Sequence, residues 1–115
     1  MSWYLTIRSD PQYSRETATG PLTEFLGTLP EVAATNRMEF RNAPGSPWVC
    51  VVLARADGSG NYATGDGWLP AVNVVELVCG DGDEEWYVSL AGRVAQFLGW
   101  EAVEEHSERK VWPLS

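Results

Sequence analysis

Near the start of the chain, WYLTIR alternates, with Trp3, Leu5 and Ile7 on one side and Tyr4, Thr6 and Arg8 on the other. This is the period-two pattern of a half-buried strand. After a polar stretch holding Pro11, TGPLTEFLGTLP repeats apolar residues at Leu22, Phe25, Leu26 and Leu29. It predicts a short helix with Pro21 at its first position, where a missing N–H is tolerated, and Pro30 at its end. MEFRN sets Met38 and Phe40 against Glu39 and Arg41 and reads as a second strand, followed by the turn NAPGSP. WVCVVLARA is apolar on both faces until Arg55, and VNVVELVCG, from Val72, is the same kind of object with Glu76 as its one charge. Both predict central strands covered on two sides or nearly so.

The strongest helical pattern begins at Asp83. Trp86, Tyr87, Leu90, Val94, Phe97 and Leu98 fall on one stripe. Asp81 or Asp83 is placed to cap, acidic residues crowd the first turn where the macrodipole favours them, and Gly99 stands where a C-terminal glycine belongs. The last segment, WEAVEEHSERKVWPLS, predicts one or two short strands around a turn at residues 106–108, its charges guarding a sheet edge. The order β-α-β-β-β-α-β predicts a single α+β domain over residues 1–115. We expect a mainly antiparallel sheet of about five strands with two helices packed on one face, ferredoxin-like or related.

A chain of 115 residues, 44% hydrophobic and 21% charged, is sized and composed for one folded domain. It has no basic leader joined to an apolar run, and its longest apolar run, residues 48–54, is far below a membrane span. The expectation is a cytoplasmic protein with no membrane partner. Cys50 and Cys79 each sit inside an apolar run and read as buried structural thiols.

The formal charge of −8 is uneven. Residues 1–75 hold seven acids against five arginines, and residues 76–115 hold nine acids against three bases, so the C-terminal third is the acidic pole. That field repels nucleic-acid phosphates and favours a basic protein surface or a cationic ligand. Solubility alone also explains such a surface.

The stretch RADGSGNYATGDGWLP invites chemistry that its details refuse. Gly58, Gly60 and Ala63 match a dinucleotide fingerprint, but TGDGWLP supplies no helix to hold a pyrophosphate. Asp57, Ser59 and Asn61 match the first calcium-loop positions, but Tyr62 stands where glycine is required and Trp68 where a bidentate glutamate is required. Two readings remain: a hairpin loop with Asp-Gly turns, or a recognition surface carried by its aromatics and aspartates.

The acidic run of Asp81, Asp83, Glu84 and Glu85 reads either as helix capping or as a landing site for a basic partner. Adjacent Glu84 and Glu85 point in different directions from a helix and do not form an opposed acid–base pair. His106 lies in the charged run EEHSERK as a surface histidine. With one histidine and two separated cysteines a closed zinc site is not expected, no nucleophile elbow is present, and no cofactor is implied. Of six tryptophans, Trp3, Trp48 and Trp86 fall on expected core faces, whereas Trp68, Trp100 and Trp112 fall in or near loops and edges.

In size, acidity and lack of catalytic motifs the chain is similar to bacterial immunity or antitoxin-type proteins, which bind and block a partner protein. The expected function is a non-enzymatic protein-binding domain. Its basic partner would be met by Asp57, Asn61, Tyr62, Asp66 and Trp68 together with Asp81, Asp83, Glu84 and Glu85. The alternative is a small-ligand or enzymatic domain with a pocket between the sheet and the 56–70 loop.

Overall fold

The computed structural model describes residues 2–56, 62–63 and 69–113. Its strands are β1 (Trp3–Arg8), β2 (Thr17–Ala18), β3 (Val32–Asn36), β4 (Glu39–Asn42), β5 (Val49–Ala56), β6 (Tyr62–Ala63), β7 (Ala71–Val72), β8 (Val74–Cys79), β9 (Glu101–Glu104) and β10 (Lys110–Trp112). Its helices are α1 (Thr19–Gly27) and α2 (Glu84–Leu98). The fold is α+β. Seven strands run β10-β9-β1-β8-β5-β4-β3, every pair antiparallel, with β6 joined to the end of β5 and a short β2–β7 pair beside them.

The alternation in β1 sets the layers. Leu5 stands opposite Leu77, and Leu77 opposite Val51; Ile7 stands opposite Val75, and Val75 opposite Leu53. All six lie in one core cluster, and the same cluster takes Leu22 and Leu26 from α1 and Tyr87, Leu90 and Val94 from α2. The apolar stripes of both helices therefore meet one face of the sheet. Each fully buried aliphatic side chain there contributes roughly 1.5–3 kcal/mol of transfer free energy.

On the opposite face, Thr6 lies across from Glu76 and donates its hydroxyl to the carboxylate, at 3.0 Å to one oxygen and 3.1 Å to the other. The one charge in that apolar run is thus carried on the face away from the helices, 8% exposed and hydrogen-bonded. The same parity separates the cysteines. Cys79 pairs with Val49 and faces the core, whereas Cys50 pairs with Val78 and faces away. Neighbouring positions on opposite faces of a sheet cannot close a disulfide, and both thiols are free and buried.

The sheet is longer than the five strands expected because one edge strand was not legible and the final segment supplies two strands. β3 precedes β4 as a hairpin in which Val32 is buried and residues 33–36 are exposed, so it carries no alternation. Asn36 accepts the amide of Met38 at 2.9 Å and makes the turn. At the other edge β9 and β10 form the hairpin expected around residues 106–108.

Pro21 occupies the third helical position, since Ala18 is the cap residue and Thr19 begins the helix. All four leading N–H groups of a helix lack partners, so the third position tolerates proline as the first does. In α2, Asp83 caps by accepting the Glu85 amide at 3.2 Å, and Gly99 ends the helix at φ 72°. Phe97, expected on the buried stripe, is 47% exposed and stacks its ring on Phe25 of α1 at 4.1 Å. Among the described residues no helix is long and apolar enough to cross a membrane.

Candidate functional site

Three connections meet at one end of the sheet. Trp3 at the start of β1 is opposite Cys79 at the end of β8, and Cys79 is opposite Val49 at the start of β5. The turn after β9 joins the same end, because the Glu105 amide donates to the Tyr4 carbonyl at 3.1 Å. The β8–α2 turn, the chain before β5 and the β9–β10 turn are therefore neighbours, although roughly 25 to 60 residues apart in sequence.

Aromatic side chains lock this end. Tyr87, fully buried at the start of α2, donates its hydroxyl to the Trp48 carbonyl at 2.6 Å. Its ring meets Trp3 edge-on at 5.6 Å and Trp86 edge-on at 5.1 Å. The Trp3 indole N–H donates to the Gly80 carbonyl at 3.1 Å. Gly82 must be glycine for lack of space: a Cβ there would lie 2.8 Å from Cβ of Pro47 and 3.0 Å from the Tyr87 hydroxyl.

Around this lock stand the carboxylates. Asp81, Asp83, Glu84, Glu85 and Glu105 are exposed and Glu104 is half-buried. Arg109 reaches Glu84 at 2.8 Å, an exposed pair of small energetic value. Among the acids stand two exposed rings, Trp48 at 46% and Tyr4 at 41%.

The sequence-level expectations divide here. Asp81, Asp83, Glu84 and Glu85 are brought together, and Asp83 is committed to the cap. Of the loop residues, Asp57, Asn61, Asp66 and Trp68 lie outside the described residues, as does most of the 56–70 loop that the alternative pocket requires; Tyr62 is described only as backbone, in β6 opposite Ala56. That loop leaves β5 after Ala56, at the end of the strand remote from Trp48. Eight residues at about 3.3 Å each separate the two ends by roughly 25 Å. The chain returns to the sheet beside α1, where Thr19 donates its amide to the Pro70 carbonyl at 3.0 Å and its hydroxyl to the Leu69 carbonyl at 2.6 Å.

Two tryptophans are placed differently from expectation. Trp48, assigned to the core from its apolar neighbours, is half-exposed, because β5 presents Val49, Val51 and Leu53 to the helices and the opposite parity to the other face. Trp100, assigned to a wet edge, is buried, its amide donating to the Ala95 carbonyl at 2.9 Å as the chain turns out of α2. Tyr4, Glu104 and Glu105 were not singled out in the sequence. Only the pairing of β1 with β9 brings them together.

A second charged cluster lies at the other end of β1. Arg8 donates to Glu101 at 2.9 Å and to Glu108 at 3.0 Å, with its guanidinium 5.9 Å from the Tyr13 ring centre, and Lys110 lies 3.5 Å from Glu101. Burial works against the Arg8 charge, but its hydrogen bonds to Glu101, Tyr13 and Glu108 outweigh it and raise the pKa. This network is satisfied internally and ties β1 to the final hairpin. Among the described residues no three His, Cys, Asp or Glu side chains gather as a metal site requires. Comparison with models of known protein families, with curated proteins and with solved structures found no match.

Proposed function

We propose that this protein is a non-enzymatic binding domain that docks its acidic end on a basic protein partner, in the manner of immunity or inhibitor proteins. The observation that carries this reading is the setting of two half-exposed rings, Trp48 and Tyr4, among six carboxylates at one end of the sheet. Carboxylates of one sign raise the rate of encounter with a basic surface, and rings with few rotatable bonds supply affinity once water is expelled. The same field disfavours nucleic acid. Asp57, Asn61, Tyr62, Asp66 and Trp68 belong to the proposal as a separate contact region, reached from the other end of β5. A cytoplasmic setting suits two thiols that cannot pair. The order β9-β1-β8-β5, with a helix in each crossover, supports a ferredoxin-like reading of the central unit. That architecture carries no function by itself.

The test is affinity capture from the native host at low salt. Its control is a variant carrying Asp81→Lys, Glu84→Lys and Glu85→Lys, which spares the Asp83 cap and is checked for folding by circular dichroism. The expected result is a stoichiometric basic protein held by the wild type at roughly 50 mM salt, released near 0.5 M as screening sets in, and not held by the variant. Recovery of no stoichiometric partner, or equal retention by the variant, overturns the proposal.

A further inference from the structure

Where β1 meets the β9–β10 turn, Ser2, Trp3, Tyr4, Glu104, Glu105 and His106 line an open-sided cavity of about 660 Å³. Its size lies in the range of ligand sites, but its lining is unlike an apolar pocket. The exposed Tyr4 ring and two carboxylates belong to this lining, whereas the Trp3 ring lies on the opposite face of β1, against Tyr87 and Gly80. The turn is held in place beside the Tyr4 ring by the hydrogen bond from the Glu105 amide to the Tyr4 carbonyl. Glu104 accepts the Ser107 amide at 2.9 Å through one oxygen.

The cations of β1 and the final hairpin are committed elsewhere. Arg8 is held by Glu101 and Glu108, Arg109 by Glu84, and Lys110 by Glu101. Among the described residues no lysine or arginine pairs with Glu104 or Glu105. The negative face of the Tyr4 ring and the carboxylates therefore attract the same kind of group, and an anion is repelled by both. Between the two protein cations, the guanidinium suits this lining better than the ammonium. It is planar and weakly hydrated, so it lies against a ring while its forked N–H groups engage a carboxylate.

We propose that this cavity receives the guanidinium of an arginine side chain presented by the basic partner. The inference rests on the protein-binding reading and adds to it the side chain recognised and the place where it is held. The acidic run at 81–85 lies at the same end of the sheet. Long-range attraction and the arginine contact then act on one docking face.

The test uses the purified protein and a partner-free probe. Amide and indole shifts are followed by NMR during titration with N-acetylarginine amide, N-acetyllysine amide and the neutral isostere N-acetylcitrulline amide at matched ionic strength. The arginine probe is expected to shift Trp3, Tyr4, Glu105 and His106 with a Kd on the order of millimolar. The lysine probe is expected to bind more weakly and the citrulline probe not at all. Glu105→Gln and Tyr4→Leu, both at exposed side chains, should each weaken the arginine probe by about fivefold with unchanged thermal midpoints.

Shifts scattered away from this corner, binding of citrulline equal to arginine, or full affinity in both variants overturns the assignment. Equal affinity for lysine overturns its restriction to guanidinium. Failure of the probe with successful capture of a partner dependent on residues 81–85 removes the cavity and leaves the docking function. Probe binding without any captured partner does the reverse.

Discussion

The hydroxyl of Tyr87 donates to the main-chain carbonyl of Trp48 at 2.6 Å, joining the first turn of α2 to the residue that leads into β5. Tyr87 is fully buried and Trp48 is half-exposed. One bond thus couples the interior to the most exposed ring of the acidic end. Tyr87→Phe removes the donor and leaves a carbonyl without its partner, at a cost of about 1–2 kcal/mol. For a domain of this size the thermal midpoint should fall by about 4–8 °C for each kcal/mol lost, with a shift in tryptophan emission as the Trp48 segment loosens. An unchanged midpoint and spectrum would show that water replaces the phenol without loss.

Trp48 itself should matter more to binding than to folding. Trp48→Ser keeps the carbonyl that Tyr87 uses and removes an exposed ring, so stability should change by less than about 1 kcal/mol. Affinity for the captured partner should fall at least about tenfold if the ring is an anchor. Isothermal titration beside thermal melts separates the two effects, and an affinity equal to that of the wild type removes Trp48 from the docking face.

Acid should loosen the seam between α2 and the outer hairpin. Glu31, just before β3, accepts from Arg93 of α2, at 3.3 Å for one nitrogen and more closely for the other. The hydrogen bond to this guanidinium, opposed by partial burial, holds the Glu31 carboxyl below its ordinary value of 4.5. A carboxyl whose pKa is depressed by folding stabilises the fold above its ordinary pKa and loses that contribution as pH falls through the lower folded value. Denaturant midpoints should therefore drop below about pH 4.5, and Glu31→Gln should shallow that drop. A parallel pH profile for the variant would refute the assignment.

The two cysteines should be inert in the native state. Burial, with Glu76 adding, pushes the Cys79 thiol up to about 12, and burial, with Glu39 adding, raises Cys50. A disulfide-exchange reagent at pH 8 should label neither thiol until denaturant is added and then label both, because the thiolate is the reacting form. Since the unfolded thiols ionise near their ordinary value of 9.0, stability contributed below that pH should be lost as pH rises from there toward 12. Rapid labelling of the folded protein would contradict the buried placement.

Patterns of period two and 3.6 were enough to find β1, β5, β8, α2 and the final hairpin, with Asp83 and Gly99 marking the limits of α2. These elements bury one whole face, so their side chains had to be written in the matching period. β3 escaped because it is an edge strand with one buried residue. Trp48 was misplaced because β5 is apolar on both faces, and parity within such a run is settled by which neighbours pair with it.

The acidic run at 81–85 was visible as a run, and its cap as a cap. Its meeting with Trp48, Tyr4, Glu104 and Glu105 was not, since those residues come from four stretches joined by antiparallel pairing of β1 with β8 and β9 and of β5 with β8. Sequence by itself determined the fold class and the charge, because local periodicity and composition act over a few residues. The tertiary structure alone decided which charges and rings share a surface, because strand register is a contact between segments far apart in the chain.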